Sequence, residues 1–339
     1  MTVERHRMPA RAVWFSGREC VEILYEGPPI PGPNDIRVHA LASGISQGTE
    51  LMVLRGLAPA SLPLDLPTLE GTYDFPIKFG YASVGRVVER GRKVRHPARG
   101  DLVFVHHPHQ TEYVVPAVDA VVLDPHADAA VGTLLANMET AVNVVWDAEP
   151  RLGEHAVVFG QGIVGLLVAR LLMLAGTRVT AVEPHDERRK TARTMGISVL
   201  ASIDVEEERA HMHADLAVEC SGNPGALNTA ISCLAMEGRV VVASWYGLKR
   251  ASIDLGGAFH RKRLRLISSQ VGSIPSEMGA RWDRRRRIEL ARDLLSQLDL
   301  NPLITHRVPF EEAWSLYKLL LDNPGSAVHA VLTYDDTDV

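Results

Sequence analysis

The chain has 339 residues, 46% hydrophobic and 23% charged, with 36 Lys+Arg against 41 Asp+Glu and a formal net charge of −5. That length suits two packed domains rather than one core, and the acidic balance excludes a general nucleic-acid binder, whose phosphate contacts need a basic excess. Three scattered cysteines (Cys20, Cys220, Cys233), no apolar run of about 18 residues and a start without the apolar core of a secretory signal exclude a disulfide framework, a four-cysteine zinc site and a membrane span. A cytoplasmic protein is the expectation.

The first third reads as short strands rich in Val, Ile and aromatics: Ala12–Phe15, Cys20–Tyr25, Asp35–Ala42, Ser83–Arg90 and Asp101–Val105. Turn chemistry at 27–33, 90–92 and 98–101 separates them, so the segment is expected to form a barrel-like all-β unit. Leu57–Phe75, with prolines at 59, 63 and 67, reads as a long loop. From about residue 130 apolar strands alternate with helices. A helix over Leu134–Trp146 precedes the strand His155–Phe159, the helix Ile163–Ala175, the strand Arg178–Glu183 and the helix Asp186–Met195. Strands at Ser198–Leu200, Asp215–Cys220, Arg239–Ser244 and Leu264–Gln270 and a helix at Pro224–Ala235 complete the pattern. Such alternation predicts an α/β domain with a doubly wound parallel sheet. A charged helix near Ala280–Leu298, a strand at Thr305–Val308, a helix at Glu311–Leu321 and a strand at Ala327–Thr333 close the chain and are expected to return to the first domain. The expected division is 1–128, 129–272 and 273–339.

The clearest motif is Gly160-Gln161-Gly162-Ile163-Val164-Gly165. It follows a predicted strand and opens a predicted helix, the context in which G-x-G-x-x-G binds a dinucleotide. Gly160 permits the tight turn, Gly162 lets backbone N–H groups approach a pyrophosphate, and Gly165 lets the helix pack on the sheet. Glu183 ends the next strand, where an acid accepts from ribose hydroxyls and repels a 2′-phosphate, which favours NAD over NADP. Arg188 and Arg189 keep NADP open: either could pair with a phosphate, meet a ribose hydroxyl, or lie on a solvated helix face. Ser221, Gly222 and Ser244 stand at carboxyl ends of later strands, where ligands bind in open α/β sheets.

Further markers are Ser43-Gly44-Ile45 with Gly48-Thr49-Glu50, Phe79-Gly80-Tyr81-Ala82 before Ser83-Val84-Gly85, Arg99-Gly100-Asp101-Leu102-Val103 and Glu219-Cys220-Ser221-Gly222. With the glycine motif they resemble the medium-chain dehydrogenase/reductase superfamily over nearly the whole chain. The resemblance implies a Rossmann domain plus a GroES-like barrel catalytic domain, and a homodimer paired through the edge strand near Leu264–Gln270. Zinc-dependent members carry Cys in G-I-C-G-T-D and His-Glu in G-H-E. Here those segments read Gly44-Ile45-Ser46-Gln47-Gly48-Thr49-Glu50 and Gly80-Tyr81-Ala82, so no catalytic zinc is expected. The pattern is most similar to the zinc-less branch containing the bacteriochlorophyllide hydroxyethyl dehydrogenase and other bacterial biosynthetic dehydrogenases.

Without a metal, alcohol oxidation needs a base and donors for the developing alkoxide. Ser46, Gln47, Thr49 and Tyr81 stand at the emptied metal positions. Tyr81 could donate to the substrate oxygen, helped if Lys78 lowers its pKa, or be a packing tyrosine; Thr49 could relay a proton or bond only backbone. Glu50 is expected to orient neighbours. Glu139, near the family's third ligand, could be a general base or a paired helix carboxylate. Among His106, His107 and His109, His107 or His109 suits a base or substrate contact. The arginine run 284–287 reads as a solvated helix start. The expected activity is alcohol–ketone interconversion by hydride transfer on a small molecule. The alternatives are reduction of a conjugated C=C bond or quinone, and nucleotide binding without turnover.

Overall fold

All nineteen strands and helices expected from the sequence have a counterpart in the computed structural model, which assembles them into two units. It describes residues 9–64, 68–69, 71–203 and 211–335; residues 65–67 and 70 of the expected long loop lie outside these. The N-terminal part holds β1 (Ala10–Gly17), β2 (Cys20–Glu26), β3 (Asp35–Ile45), helix α1 (Gln47–Leu54), β4 (Ile77–Lys78), β5 (Ser83–Arg90), β6 (Leu102–Val105), β7 (Glu112–Pro116) and β8 (Val121–Val122). Helix α2 (Leu135–Ala148) follows, then β9 (His155–Phe159), α3 (Ile163–Leu174), β10 (Arg178–Val182), α4 (Asp186–Thr194), β11 (Ser198–Leu200), β12 (Ala214–Glu219), α5 (Ala226–Cys233), β13 (Leu234–Val242), β14 (Arg265–Ser268) and α6 (Arg284–Gln297). The chain closes with β15 (Ile304–Pro309), α7 (Ala313–Asp322) and β16 (His329–Thr333). No described helix is long and apolar enough to cross a membrane.

One unit comprises Met1–Ala136, Ile304–Pro324 and His329–Val339; the other comprises Asn137–Leu303 and Gly325–Val328. The observed divisions at 136 and 303 differ from the expected 128 and 272. Much of the difference is α6, which was expected to return to the first domain. Its Arg287 is buried against Glu139 of α2 inside the second unit, so α6 stays with it.

In the first unit a mixed sheet runs β15-β16-β3-β5-β6-β8 with β7 also on β3, beside a three-stranded sheet β2-β1-β4. Residues Ile36, Val38, Ala40, Val87, Val103, Val105, Tyr113 and Val115 fill one core of the mixed sheet. The alternation of β3, with Val38 and Ala40 inward, is what a strand with one face on a core requires. Helix α1 and the strands β4, β7 and β8 depart from the expectation. Residues 47–54, for which no helix was expected, form α1, and all of Leu51–Leu54 are buried, so no amphipathic stripe announces the helix. Strand β7 was not foreseen, because it is short and follows the His-Pro-His segment.

In the second unit all six strands are parallel, in the order β11-β10-β9-β12-β13-β14. The order reverses beside β9, and β9 (His-Ala-Val-Val-Phe) is buried throughout, as a central strand covered on both faces must be. The doubly wound parallel sheet is therefore an α/β fold of the expected class.

Candidate functional site

The glycine motif lies at the carboxyl end of β9, at the switch point of the second unit's sheet. Gly160 has φ +86°, and a methyl group there would fall 2.6 Å from the Cα of Ser221. At Gly165 a Cβ would stand 1.9 Å from the carbonyl oxygen of Gly160, so only glycine lets α3 approach the turn. Gly162 is the N-cap of α3 and has no side chain to cap the first N–H groups of this 12-residue helix. That is the arrangement a pyrophosphate satisfies. Gln161 is fully buried; its Nε2 donates to the Gly160 carbonyl at 2.8 Å, and its Oε1 has no partner among the described residues. The turn thus fits a dinucleotide. Ile163 and Val164 form the first turn of α3.

Glu183, just past β10, is buried. Its Oε2 accepts from the Gln161 N–H at 2.7 Å, and its Oε1 from the backbone N–H of His185 at 2.9 Å and from His185 Nδ1 at 2.7 Å. A carboxylate offers about four acceptor positions, so one remains on Oε2 for a ribose hydroxyl. Arg188 donates to the Ala327 carbonyl from Nε at 3.3 Å and Nη2 at 3.1 Å, and its Nη1 lies 3.8 Å from where a Cβ of Gly162 would be. It lies against the glycine turn, not on a solvated face. Arg189 is spent on the carbonyls of Glu183 and Pro184 and on Asp186. At the ends of β12 and β13, Ser221 is exposed, and the Gly222 N–H donates to the Ser244 hydroxyl at 2.9 Å.

In the first unit α1 and the end of β4 bring Ser46, Thr49 and Tyr81 together. The Tyr81 hydroxyl donates to Ser46 Oγ in a short bond, and Thr49 Oγ1 stands 3.4 Å away. Burial pushes the Tyr81 phenol up to about 12, against the hydrogen bonds of Ser46 and Thr49, which lower it. The expected help from Lys78 is not there, because its ammonium is bound by Glu26 (2.9 Å to each oxygen) and by Gln110 (3.0 Å). Tyr81 is thus a phenol near neutral pH, able to donate but not to abstract a proton.

Behind this trio lies a polar network in which Ser43, Glu50, His109 and Tyr317 are fully buried. Glu50 Oε1 accepts from the Ser46 N–H at 2.7 Å, while Oε2 is bonded to His109 Nε2 at 2.9 Å and accepts from the Tyr317 hydroxyl. His109 Nδ1 lies 2.7 Å from Ser43 Oγ, which lies 2.7 Å from the Tyr334 hydroxyl. Both ring nitrogens of His109 are therefore engaged. Gly80 has φ +114°, and a Cβ there would come within 2.7 Å of the His109 ring, so the ring and the glycine fit as a pair.

The remaining sequence candidates are placed differently. His107 stacks on Tyr113 (centroids 3.8 Å apart), donates from Nδ1 to the Pro108 carbonyl at 3.0 Å, and is pushed down to about 3 by burial. It is neutral near pH 7 and too weakly basic for general-base work there. Glu139 belongs to the second unit, where Oε1 accepts from Arg287 Nε at 3.1 Å and Nη2 at 2.9 Å. The paired-carboxylate alternative is the one realised, and Arg287 is buried, not solvated. Hydroxyl, amide and phenol at Ser46, Thr49, Gln47 and Tyr81 do not fit zinc, which proteins hold with thiolate, imidazole and carboxylate. No group of three or more His, Cys, Asp or Glu side chains among the described residues could hold a metal ion.

Sequence reasoning missed His329. Its Nε2 donates to Thr133 Oγ1 at 2.9 Å, Thr133 in turn donating to the Ala130 carbonyl, while its buried Nδ1 has no partner among the described residues. A Cβ on Gly44 would lie 2.6 Å from that ring, so Gly44 is the only local signal, and a glycine does not say what covers it.

Residues 164–284 match the zinc-binding dehydrogenase family, a stretch that begins in the first turn of α3 and contains none of the emptied metal positions. The chain is 25% identical to D-guloside 3-dehydrogenase of Shigella flexneri, over 89% of this chain and 93% of that protein. It is 27% identical to 2-desacetyl-2-hydroxyethyl bacteriochlorophyllide A dehydrogenase of Rhodobacter capsulatus, over 94% and 96%. The crystal structure of 2R,3R-butanediol dehydrogenase from Bacillus subtilis superposes with a TM-score of 0.80 at 21% identity, covering 96% of this chain and all of that one. Glycine turn, sheet order and these likenesses together make the chain an oxidoreductase with the architecture of the zinc-binding dehydrogenases.

Proposed function

We propose that the chain is a cytoplasmic, zinc-independent, NAD-preferring dehydrogenase that interconverts a secondary alcohol and its ketone on a small-molecule substrate. The observation that carries this reading is the glycine turn between β9 and α3, uncapped and sterically closed to any other residue at Gly165, with Glu183 holding one acceptor position beside it. The relatives named as dehydrogenases of a guloside and of a hydroxyethyl bacteriochlorophyllide support the same chemistry. A bound NAD supplies the hydride acceptor, or NADH the donor. The chain's own part is to hold the substrate oxygen and its proton. In ketone reduction the Tyr81 phenol passes its proton to the oxygen that gains negative charge, the Ser46 and Thr49 hydroxyls hydrogen-bond the phenolate left behind, and a solvent proton restores the phenol. Glu50 fixes the Ser46 backbone and so the geometry of that donor. Zinc independence is supported by the donor chemistry at Ser46, Gln47 and Tyr81, and a homodimer by the unpaired edge of β14.

Fluorescence titration is expected to show NADH binding more tightly than NADPH, because the Glu183 carboxylate repels a 2′-phosphate. The reverse order overturns the NAD assignment, and no binding of either overturns the reading. Stoichiometric zinc in purified active protein overturns the metal-free mechanism. Tyr81→Phe is expected to lower kcat about 10²-fold, the usual effect of removing one oxyanion donor, while NADH affinity stays the same. Unchanged turnover in steady-state assays removes Tyr81 from the chemistry.

A further inference from the structure

A dinucleotide lies across the switch point of a doubly wound sheet, with one mononucleotide on each half. In the second unit Glu183 marks the half built on β9, β10 and β11, where the adenosine ribose goes. The other end of the ligand then falls over the carboxyl ends of β12 and β13. Those ends are stitched together by one buried carboxylate. Glu219, the last residue of β12, is fully buried, and its Oε1 accepts from the Ser221 N–H at 2.6 Å and from the Ser221 hydroxyl at 2.5 Å. Its Oε2 accepts from the Tyr246 hydroxyl at 2.6 Å. Ser244 adds a second stitch, taking the Gly222 N–H and donating to the Glu219 carbonyl at 3.4 Å. Trp245 sits between the two fixed residues Ser244 and Tyr246 and is 39% exposed. Its neighbours on both sides are therefore held while the residue itself stays partly exposed.

We propose that Trp245 is the aromatic surface against which the nicotinamide end of the dinucleotide rests, and that it favours the oxidised ring. This rests on the dinucleotide site of the proposed function and goes beyond it in assigning a redox-state preference to one residue. The oxidised nicotinamide ring carries a positive charge and the reduced ring does not. An indole face attracts a cation, with Trp the strongest of the aromatic side chains. Part of the stacking benefits both forms, and the cation–π part benefits the oxidised form alone. The Glu219–Tyr246 bond positions the indole and need not touch the ligand.

The test is calorimetric binding of NAD, NADH and ADP-ribose to the full chain and to Trp245→Leu and Tyr246→Phe. ADP-ribose keeps the adenosine and pyrophosphate contacts and lacks nicotinamide. Trp245→Leu is expected to leave ADP-ribose affinity unchanged and to weaken NAD about 2- to 10-fold more than NADH. Tyr246→Phe is expected to shift the NAD/NADH affinity ratio in the same direction by less. Equal weakening of NAD and NADH, or no change in either, overturns the role of Trp245 while leaving the dinucleotide site standing. Failure of the unaltered chain to bind ADP-ribose and NADH overturns the site itself, and this inference with it.

Discussion

Replacing Glu50 by alanine is expected to destabilise the first unit by about 3–5 kcal/mol, the range found when one partner of a buried pair is removed. The carboxylate is wholly inaccessible and collects three donors: the Ser46 N–H, His109 Nε2–H and the Tyr317 hydroxyl. Alanine leaves all three without the acceptor they have in the folded chain. Next to Glu50, burial and the carboxylate hold the Tyr317 phenol well above its usual range, so it stays protonated and continues to need an acceptor. Glu50→Gln is expected to cost less, because one amide oxygen still accepts from Ser46 and the His109 ring can exchange tautomers to receive the amide N–H. Urea unfolding measures both variants. A Glu50→Ala protein within 1 kcal/mol of the unaltered chain would show that the network contributes nothing net.

Stability is expected to fall by about 3 kcal/mol between pH 6.5 and pH 5, before most carboxylates titrate. His107 is pushed down to about 3 and His329 to about 4, in both cases chiefly by burial. An unfolded chain protonates these imidazoles near pH 6.5, whereas the folded chain resists until the lower values. The unfolded state therefore binds more protons across that window. The contribution of each histidine is fully present above pH 6.5 and is lost as the pH drops toward the folded values, at up to about 1.4 kcal/mol per pH unit. Against a total stability of about 5–15 kcal/mol this decides acid tolerance. His107→Gln is expected to halve the slope of unfolding free energy against pH. A flat profile from pH 6.5 to 5 in the unaltered protein refutes the assignment.

Much of the second unit was legible in the chain because its signals are local. Val157 and Val158 in a buried strand, a glycine triplet at fixed spacing and an acid one strand later each act over a few residues, whereas the strand order was not foreseen. The first unit was less legible. Strand β7 and helix α1 lack a periodic pattern, since α1 is buried on nearly every side. The fate of individual side chains was hardest to foresee. Lys78 is close to Tyr81 in sequence, yet its charge goes to Glu26, 52 residues away. Glu139 meets Arg287 across 148 residues, which converts a candidate base into one half of an ion pair.

The sequence by itself determined the fold class, the place of the nucleotide turn and the loss of thiolate and imidazole at the positions where zinc-dependent relatives carry them, because steric closure at a glycine and the donor chemistry of a side chain belong to the residue. Only the tertiary structure decided which polar groups work on one another: Tyr81 with Ser46, Glu50 with His109 and Tyr317, Glu219 with Tyr246. Those pairings depend on burial and on partners distant along the chain, and desolvation, which sets the basicity of His107 and the protonation of Tyr81, exists only once the chain has closed around them.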